Sequence, residues 1–167
     1  VPNKRIDLLV KAFNQLSFPL IIVGSGPEKK KLMKIAKNNI IFLNYQDDLS
    51  IKNLMETCRA FVYTGIEDFG IAPVEAMAAG APIIAFKKGG ILDTVKCINS
   101  EAKIATGILF DEQNDKVIRD CISYFEEKKL WLEFSNEDIH LWAQNFSIDI
   151  FKKKFANFIF KSIEGFK

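Results

Sequence analysis

The chain has 167 residues, 49% of them hydrophobic and 26% charged, a composition typical of one globular domain and not of a disordered segment. Its net charge of +2 is too small to predict nucleic-acid binding, and no apolar run approaches the roughly 20 residues of a transmembrane helix. One histidine, His140, and three widely spaced cysteines predict neither a zinc site nor a disulfide framework. We therefore expect a cytoplasmic protein with reduced thiols, no bound metal and no nucleic-acid partner.

Short apolar runs alternate with amphipathic stretches from the start of the chain. Five runs are typical of buried strands, at 20–23, 40–43, 60–63, 83–86 and 108–110. Helical periodicity and end signals predict helices before, between and after them, over 6–16, 28–37, 50–55 with Ser50 as N-cap, 73–79 and 91–95. From Asn114 onward the pattern is helical, and its aromatic residues are expected to pack inside, namely Trp131, Trp142, Phe151, Phe155 and Phe158.

Strands separated by helices of this length form βαβ units, whose strands are parallel and covered on both faces. The prediction is an α/β fold with a doubly wound, Rossmann-like parallel sheet. In such a fold ligands bind beyond the carboxyl ends of the strands. The loops that follow the predicted strands are therefore the candidate site, at Gly24-Ser25-Gly26, Asn44-Tyr45, 64–70 and 87–90.

The first of these loops resembles part of a dinucleotide-binding turn. Gly24 and Gly26 match two glycines of GxGxxG, but Lys29 stands where the third glycine is expected. A tight strand-to-helix turn and a contact with a nucleotide both remain open for this segment.

The third loop carries two carboxylates, Glu67 and Glu75, separated by seven residues. Gly70 between them lets backbone amides approach a ligand, and the start of the predicted helix favours a phosphate. Carboxylates suit sugars because each accepts several hydrogen bonds from hydroxyl groups. A role for Glu75 as a charge in the first helical turn would not explain Glu67 and Phe69-Gly70.

The segment from Glu67 to Glu75 resembles the E-x7-E motif of the GT4-type, or group 1, glycosyltransferases, which have the GT-B fold. Other segments agree in order and spacing across roughly residues 3–110, namely Asn3 to Asp7, Val23 to Pro27, Ala76 to Pro82, Gly89-Gly90 and Thr106 to Phe110. The resemblance implies the C-terminal half of such an enzyme, which binds the sugar donor.

The resemblance also implies a role for each matched residue. Glu67 and Lys4 would act at the reacting centre, Glu67 by holding hydroxyls of the donor sugar and Lys4 by stabilising the leaving diphosphate. Glu75 would bind the ribose. The remaining donor-binding candidates are the backbone around Phe69, Gly70 and Ile71, with Arg5, Gly24 and Gly26.

The implied reaction is retaining transfer of a hexose from a nucleoside diphosphate sugar, without a metal, to a glycan or lipid-linked acceptor. GDP-mannose is the donor that we expect. The chain begins at Val1 and not at a methionine, so we expect a single domain from a longer enzyme. Its core, 1–145, would lack a first strand, its terminal helix would cover 146–167, and the acceptor domain would lie elsewhere.

Three alternatives remain beside this interpretation. A non-catalytic nucleotide- or sugar-binding module would bind the same ligands without transfer. An NAD-dependent Rossmann enzyme is disfavoured by Lys29, and a flavodoxin-like interaction domain leaves the two spaced glutamates unexplained.

The lysines at 152–154 and Lys161 fit either a solvated helix face or peripheral contact with the inner face of a membrane.

Overall fold

The computed structural model describes residues 2–98 and 104–164 and has the predicted alternation of strands and helices. The strands are β1 (Leu20–Val23), β2 (Ile40–Leu43), β3 (Phe61–Tyr63), β4 (Ile83–Phe86) and β5 (Gly107–Phe110). The helices are α1 (Ile6–Phe13), α2 (Lys29–Ile35), α3 (Asp48–Thr57), α4 (Ile71–Ala78), α5 (Ile91–Thr94), α6 (Asp115–Glu127), α7 (Asn136–Ala143) and α8 (Ile148–Glu164). Short 3-10 turns cover Pro2–Lys4, Leu130–Leu132 and Gln144–Phe146.

All strand pairs within the described residues are parallel, which confirms the predicted α/β class. The pairs are divided between two sheets, β1–β2 and β3–β4–β5, where the sequence predicted one. The prediction of a single sheet is wrong, because no hydrogen-bonded ladder joins β1 to β3 in the described residues. The order within each sheet is that of a doubly wound fold of order 3-2-1-4-5-6, with β2–β1 as 3-2 and β3–β4–β5 as 4-5-6.

The core is centred on β4, all four of whose residues are buried. Its run of Ile83 to Phe86 has no polar residue, as expected for a strand flanked by two others and covered on both faces. Helix α1 packs against α6, and α4 against α7. These layers carry the carboxyl ends of the strands on one rim, where the predicted loops begin.

Two helix ends follow local rules, and one of them corrects the sequence prediction. Gly80 has φ of 84° just past α4, in the left-handed region where glycine is favoured, as predicted. Ser50 does not cap α3. Asp47 does, because its side chain accepts a hydrogen bond of 2.8 Å from the Ser50 amide, three residues into the helix.

The C-terminal helix corrects a second prediction. Trp131 and Trp142 are half-buried, and the Trp142 indole donates a 2.7 Å hydrogen bond to the Thr94 carbonyl. Three aromatic side chains of α8 expected inside are instead largely exposed, namely Phe151, Phe155 and Phe158. They lie on a helix that continues past the packed layers and carries lysines beside them. Among the described helices, none is both long and apolar enough to cross a membrane.

Candidate functional site

The two residues predicted to act at the reacting centre, Lys4 and Glu67, lie together in the structure. Lys4 Nζ is 3.5 Å from Glu67 Oε1, and both side chains are partly exposed, at 42% and 29%. Lys4 ends the 3-10 turn before α1, and Glu67 lies in the loop after β3. A cation and a carboxylate therefore meet beyond the carboxyl end of β3, where a ligand can reach both.

The start of the chain is held at this place by Thr64, which the sequence analysis did not single out. The Thr64 side chain is 1% exposed, and its hydroxyl donates to the Lys4 carbonyl at 2.7 Å, with the Arg5 carbonyl 3.2 Å away. A side chain on Gly65 would come within 3.1 Å of Lys4 Cα, so a glycine is needed for this close approach. Backbone contacts thus set the position of Lys4.

Gln113 is a second residue that sequence reasoning missed. Its amide nitrogen donates to the Thr64 carbonyl at 2.7 Å, while its oxygen accepts from Arg5 Nη1 at 3.3 Å. It therefore joins the loop after β5 to the loop after β3 and to the start of α1. A single glutamine in a surface loop gives no pattern by which a sequence would reveal this.

The guanidinium of Arg5, a predicted donor-binding residue, is bound to other side chains of the protein. Besides Gln113 it binds the Asp7 carboxylate, with Nε 3.1 Å from Oδ1. Partial burial works to raise the pKa of Asp7, but the hydrogen bond and charge of Arg5 outweigh it, so this pKa lies below its usual value. Arg5 has φ of 50°, a left-handed conformation that is rare outside glycine and that turns the chain into α1.

Two loops touch through their backbones at Gly89 and Gly90. The Gly90 amide donates to the Glu67 carbonyl at 2.9 Å. A Cβ on Gly89 would lie 2.5 Å from that carbonyl oxygen, and one on Gly90 would overlap the backbone of Asp68. Because only glycine leaves room here, Gly89 and Gly90 allow the loop after β4 to pack directly against the backbone of the Glu67 loop.

The second predicted carboxylate, Glu75, lies on α4 beyond this loop. Gly70, with φ of 82°, starts α4, and Glu75 is the fifth helical residue, so its predicted place in the first turn is wrong. Its side chain is exposed and forms no ion pair or hydrogen bond within residues 2–98 and 104–164. Phe69 and Ile71 flank the helix start, 45% and 64% exposed, and the Phe69 ring meets the Phe146 ring edge-on at 6.0 Å.

Lys29, which stands where GxGxxG has its third glycine, holds the loop of Gly24 and Gly26 in place through hydrogen bonds. The Lys29 ammonium donates to the Gly24 carbonyl at 3.2 Å, the Leu43 carbonyl at 3.0 Å and the Asn44 side chain at 2.8 Å. It thus ties the carboxyl ends of β1 and β2 together. Gly24 has φ of 120° and Gly26 is exposed, and among the described residues no hydrogen bond or ion pair links this turn to the side chains of Glu67 or Lys4.

No three His, Cys, Asp or Glu side chains come together as metal ligands in the part of the chain that the structure describes. The expected lack of a metal cofactor therefore stays a prediction. A shallow depression of about 400 Å³ lies along α3, but its lining contains none of the predicted site residues. The chemistry is concentrated instead around Lys4, Glu67 and the start of α4.

Known proteins are similar to this chain in sequence and in fold. Residues 1–139 match the protein family described as "Glycosyl transferases group 1". An N-acetyl-alpha-D-glucosaminyl L-malate synthase of Bacillus anthracis is 31% identical over 106 residues, which are 56% of this chain and 26% of that protein. An alpha-1,3/1,6-mannosyltransferase of Kluyveromyces lactis is 32% identical over 118 residues, 67% of this chain and 23% of that protein.

A solved structure extends the similarity to the whole fold. The Anabaena protein HepE, determined in complex with UDP-glucose, superposes with a TM-score of 0.77 at 23% identity, over 96% of this chain and 46% of that one. The predicted Rossmann-like fold of a GT-B C-terminal half is thereby confirmed. The chain spans about a quarter of the two curated relatives and just under half of HepE.

The glycine contact between the two loops generates a stability prediction. We expect Gly90→Ala to lower the free energy of unfolding by about 1–3 kcal/mol, because the new methyl group must push the Asp68–Phe69 backbone away. Lys88→Ala, in the same loop with an exposed side chain, is the matched control and should change it by less than about 0.5 kcal/mol. Denaturant unfolding measures both, and equal stability of the two variants would contradict the tight contact.

Proposed function

Because this chain belongs to the group 1 glycosyl transferases, matched over residues 1–139, we propose that it is the donor-binding domain of a retaining glycosyltransferase. The observation that carries the proposal is the contact between Lys4 and Glu67 beyond the carboxyl end of β3. A nucleoside diphosphate sugar has an anionic leaving group beside a ring of hydroxyls. A lysine and a carboxylate 3.5 Å apart suit that combination of charges and donors.

In the proposed reaction the bond between the anomeric carbon and the diphosphate oxygen breaks, and the diphosphate leaves with the electron pair. The acceptor hydroxyl gives its proton to the departing diphosphate oxygen as its own oxygen bonds to the same carbon on the same face of the sugar. Lys4 would stabilise the negative charge that develops on the diphosphate. Glu67 would accept hydrogen bonds from the sugar hydroxyls and so hold the anomeric carbon in place.

We assign the nucleoside to the segment from Gly70 to Glu75, which follows Glu67 along the chain. Glu75 has an exposed carboxylate, and its two oxygens can accept from both ribose hydroxyls. The backbone amides of Ile71 and Ala72, the first two of α4, have no partner within the helix, so they suit the phosphates; Pro73 after them has no N–H. Arg5 is already bound to Asp7 and Gln113, and we assign it to supporting Lys4 as well as to donor binding.

The donor that we propose is GDP-mannose. The mannosyltransferase of Kluyveromyces lactis supports mannose, whereas HepE was determined with UDP-glucose. These two relatives differ in sugar, so the transferred hexose and the base are matters for measurement. No metal is part of the proposal, because Lys4 can take the role of a cation at the diphosphate.

The rest of the enzyme is proposed to supply the acceptor site and one strand. In the doubly wound order the first strand lies between β1 and β3, and it would join the two sheets into one. Strand and acceptor domain would both come from parts of a longer protein, consistent with the fraction of its relatives that this chain covers.

The acceptor is proposed to be a glycan or a lipid-linked sugar, and α8 would then meet a membrane surface. Its exposed phenylalanines and its lysines at 152–154 have the pattern of a helix that lies on anionic lipid. We expect the chain to sediment with vesicles that contain anionic phospholipid and to remain in solution with neutral ones. Equal recovery in the supernatant with both vesicle types would contradict this contact.

The incomplete site leads to a prediction about activity. We expect the purified chain to bind the donor but not to transfer its sugar, because the acceptor-binding surface lies outside it. Incubation with GDP-mannose or UDP-glucose and a panel of oligosaccharide acceptors, followed by mass spectrometry, is the measurement. Any glycosylated product that depends on Glu67 would disprove the expectation.

Donor binding itself is predicted to depend on Glu75. In calorimetric titrations with UDP, GDP, ADP and NAD, we expect saturable binding of one nucleoside diphosphate. Glu75→Ala should weaken it about tenfold or more, since a carboxylate contributes about 1.5–3 kcal/mol through its hydrogen bonds to a ligand. Glu127→Ala removes an exposed carboxylate at the end of α6 and should leave the affinity unchanged.

Each outcome of this titration separates the alternatives. Tight NAD binding would favour a dinucleotide enzyme and overturn the proposal. Binding of a nucleoside diphosphate that Glu75→Ala does not weaken would place the nucleotide elsewhere on the rim. Binding without transfer, even after the rest of the enzyme is restored, would identify a non-catalytic module.

A further inference from the structure

Tyr63, the last residue of β3, has a buried polar group that neither the fold nor the proposed function has used. Its side chain is 5% exposed. Its hydroxyl is buried and forms no hydrogen bond of regular geometry within residues 2–98 and 104–164. An unpaired buried hydroxyl is costly, so a ring with no hydroxyl would serve packing better. The hydroxyl therefore calls for an explanation beyond the core.

The hydroxyl lies under the predicted site. A Cβ on Gly65 would come within 3.0 Å of Tyr63 Oη and within 3.1 Å of Lys4 Cα, so the hydroxyl and the Lys4 backbone border the same small space. Burial, and after it the neighbouring Glu67 carboxylate, raise the pKa of Tyr63. Tyr63 is thus a neutral proton donor at physiological pH, close to a carboxylate that accepts.

Glu67 will need such a donor if the proposed function holds. In the structure its carboxylate is paired with Lys4 at 3.5 Å, and we have assigned Lys4 to the diphosphate of the donor. A lysine that turns toward two phosphates leaves the carboxylate without that partner. The Tyr63 side chain is buried at the end of β3, so its hydroxyl stays in place when Lys4 moves.

We propose that Tyr63 is a positioning residue, which donates a hydrogen bond to Glu67 when Lys4 turns to the diphosphate, so that the carboxylate stays directed at the sugar hydroxyls. This inference rests on the proposed function. A bond from a hydroxyl to a carboxylate is short and strong, which makes it suited to fix one orientation. Tyr63 would act through Glu67, without touching the donor.

That Tyr63 lies beside Glu67 can be tested without any nucleotide. The chain has three tyrosines, Tyr45, Tyr63 and Tyr124, so labelling with 13C at Cζ gives three signals, and Tyr63→Phe assigns one of them. We expect Glu67→Gln to move the Tyr63 signal at neutral pH and to leave the signals of Tyr45 and Tyr124 in place, because Tyr63 is the tyrosine next to that carboxylate. A Tyr63 signal that Glu67→Gln leaves in place would overturn the inference.

The consequence for the sugar is tested by comparing matched ligands. UDP with UDP-glucose, and GDP with GDP-mannose, are titrated into the wild-type chain, Tyr63→Phe and the exposed control Tyr124→Phe. We expect Tyr63→Phe to weaken the nucleotide sugar about tenfold and the nucleoside diphosphate by less than about twofold. The variant should fold, because it removes a hydroxyl that has no hydrogen-bond partner among the described residues.

The two experiments fail separately. Equal weakening of the nucleotide and the nucleotide sugar, or no weakening of either, would overturn the positioning role even if NMR shows that Tyr63 lies beside Glu67. If no nucleotide binds the wild-type chain, the proposed function fails, and the NMR comparison alone decides whether Tyr63 and Glu67 are neighbours.

Discussion

The hydroxyl of Thr64 and the carbonyls of Lys4 and Arg5 make up the contact on which the site depends. The hydroxyl is 2.7 Å from the Lys4 carbonyl, and the side chain that carries it is almost wholly buried. This hydrogen bond helps to hold the turn that ends at Lys4 against the end of β3, where the Lys4 ammonium meets Glu67. In a buried setting such a bond is hard to replace by water, so the lysine stays where it is needed.

Three glycines also hold this site together by allowing close contact between backbones. Gly65 lets the Lys4 backbone approach, and Gly89 and Gly90 let the neighbouring loop support the carbonyls of Glu67 and Asp68. The backbones of Lys4 and Glu67 are therefore held in place, while their partly exposed side chains can exchange partners. Tyr63, Lys4 and Glu67 form a set in which the proposed exchange requires only side-chain movement.

The sequence was sufficient for features that depend on local pattern. Strands buried on both faces, such as β4, read as unbroken apolar runs, and the spacing of Glu67 and Glu75 led to the family that the comparisons show. Contacts between distant segments left no such trace: Thr64, Gln113 and Lys29 each bind partners from other loops. The phenylalanines of α8 were misassigned because helical spacing shows that a face is apolar but not what covers it.

A site whose spacing is set by main-chain contacts has a consequence for its evolution. Some side chains at the rim, Tyr45 and Ile71 among them, are largely exposed and help little to hold the loops in place. Under the proposed function, substitutions at such positions would change the base or sugar that is bound at little cost in stability. Gly89 and Gly90 leave no room for a side chain, so a lineage could acquire new donors while the proposed pair of Lys4 and Glu67 stayed in place.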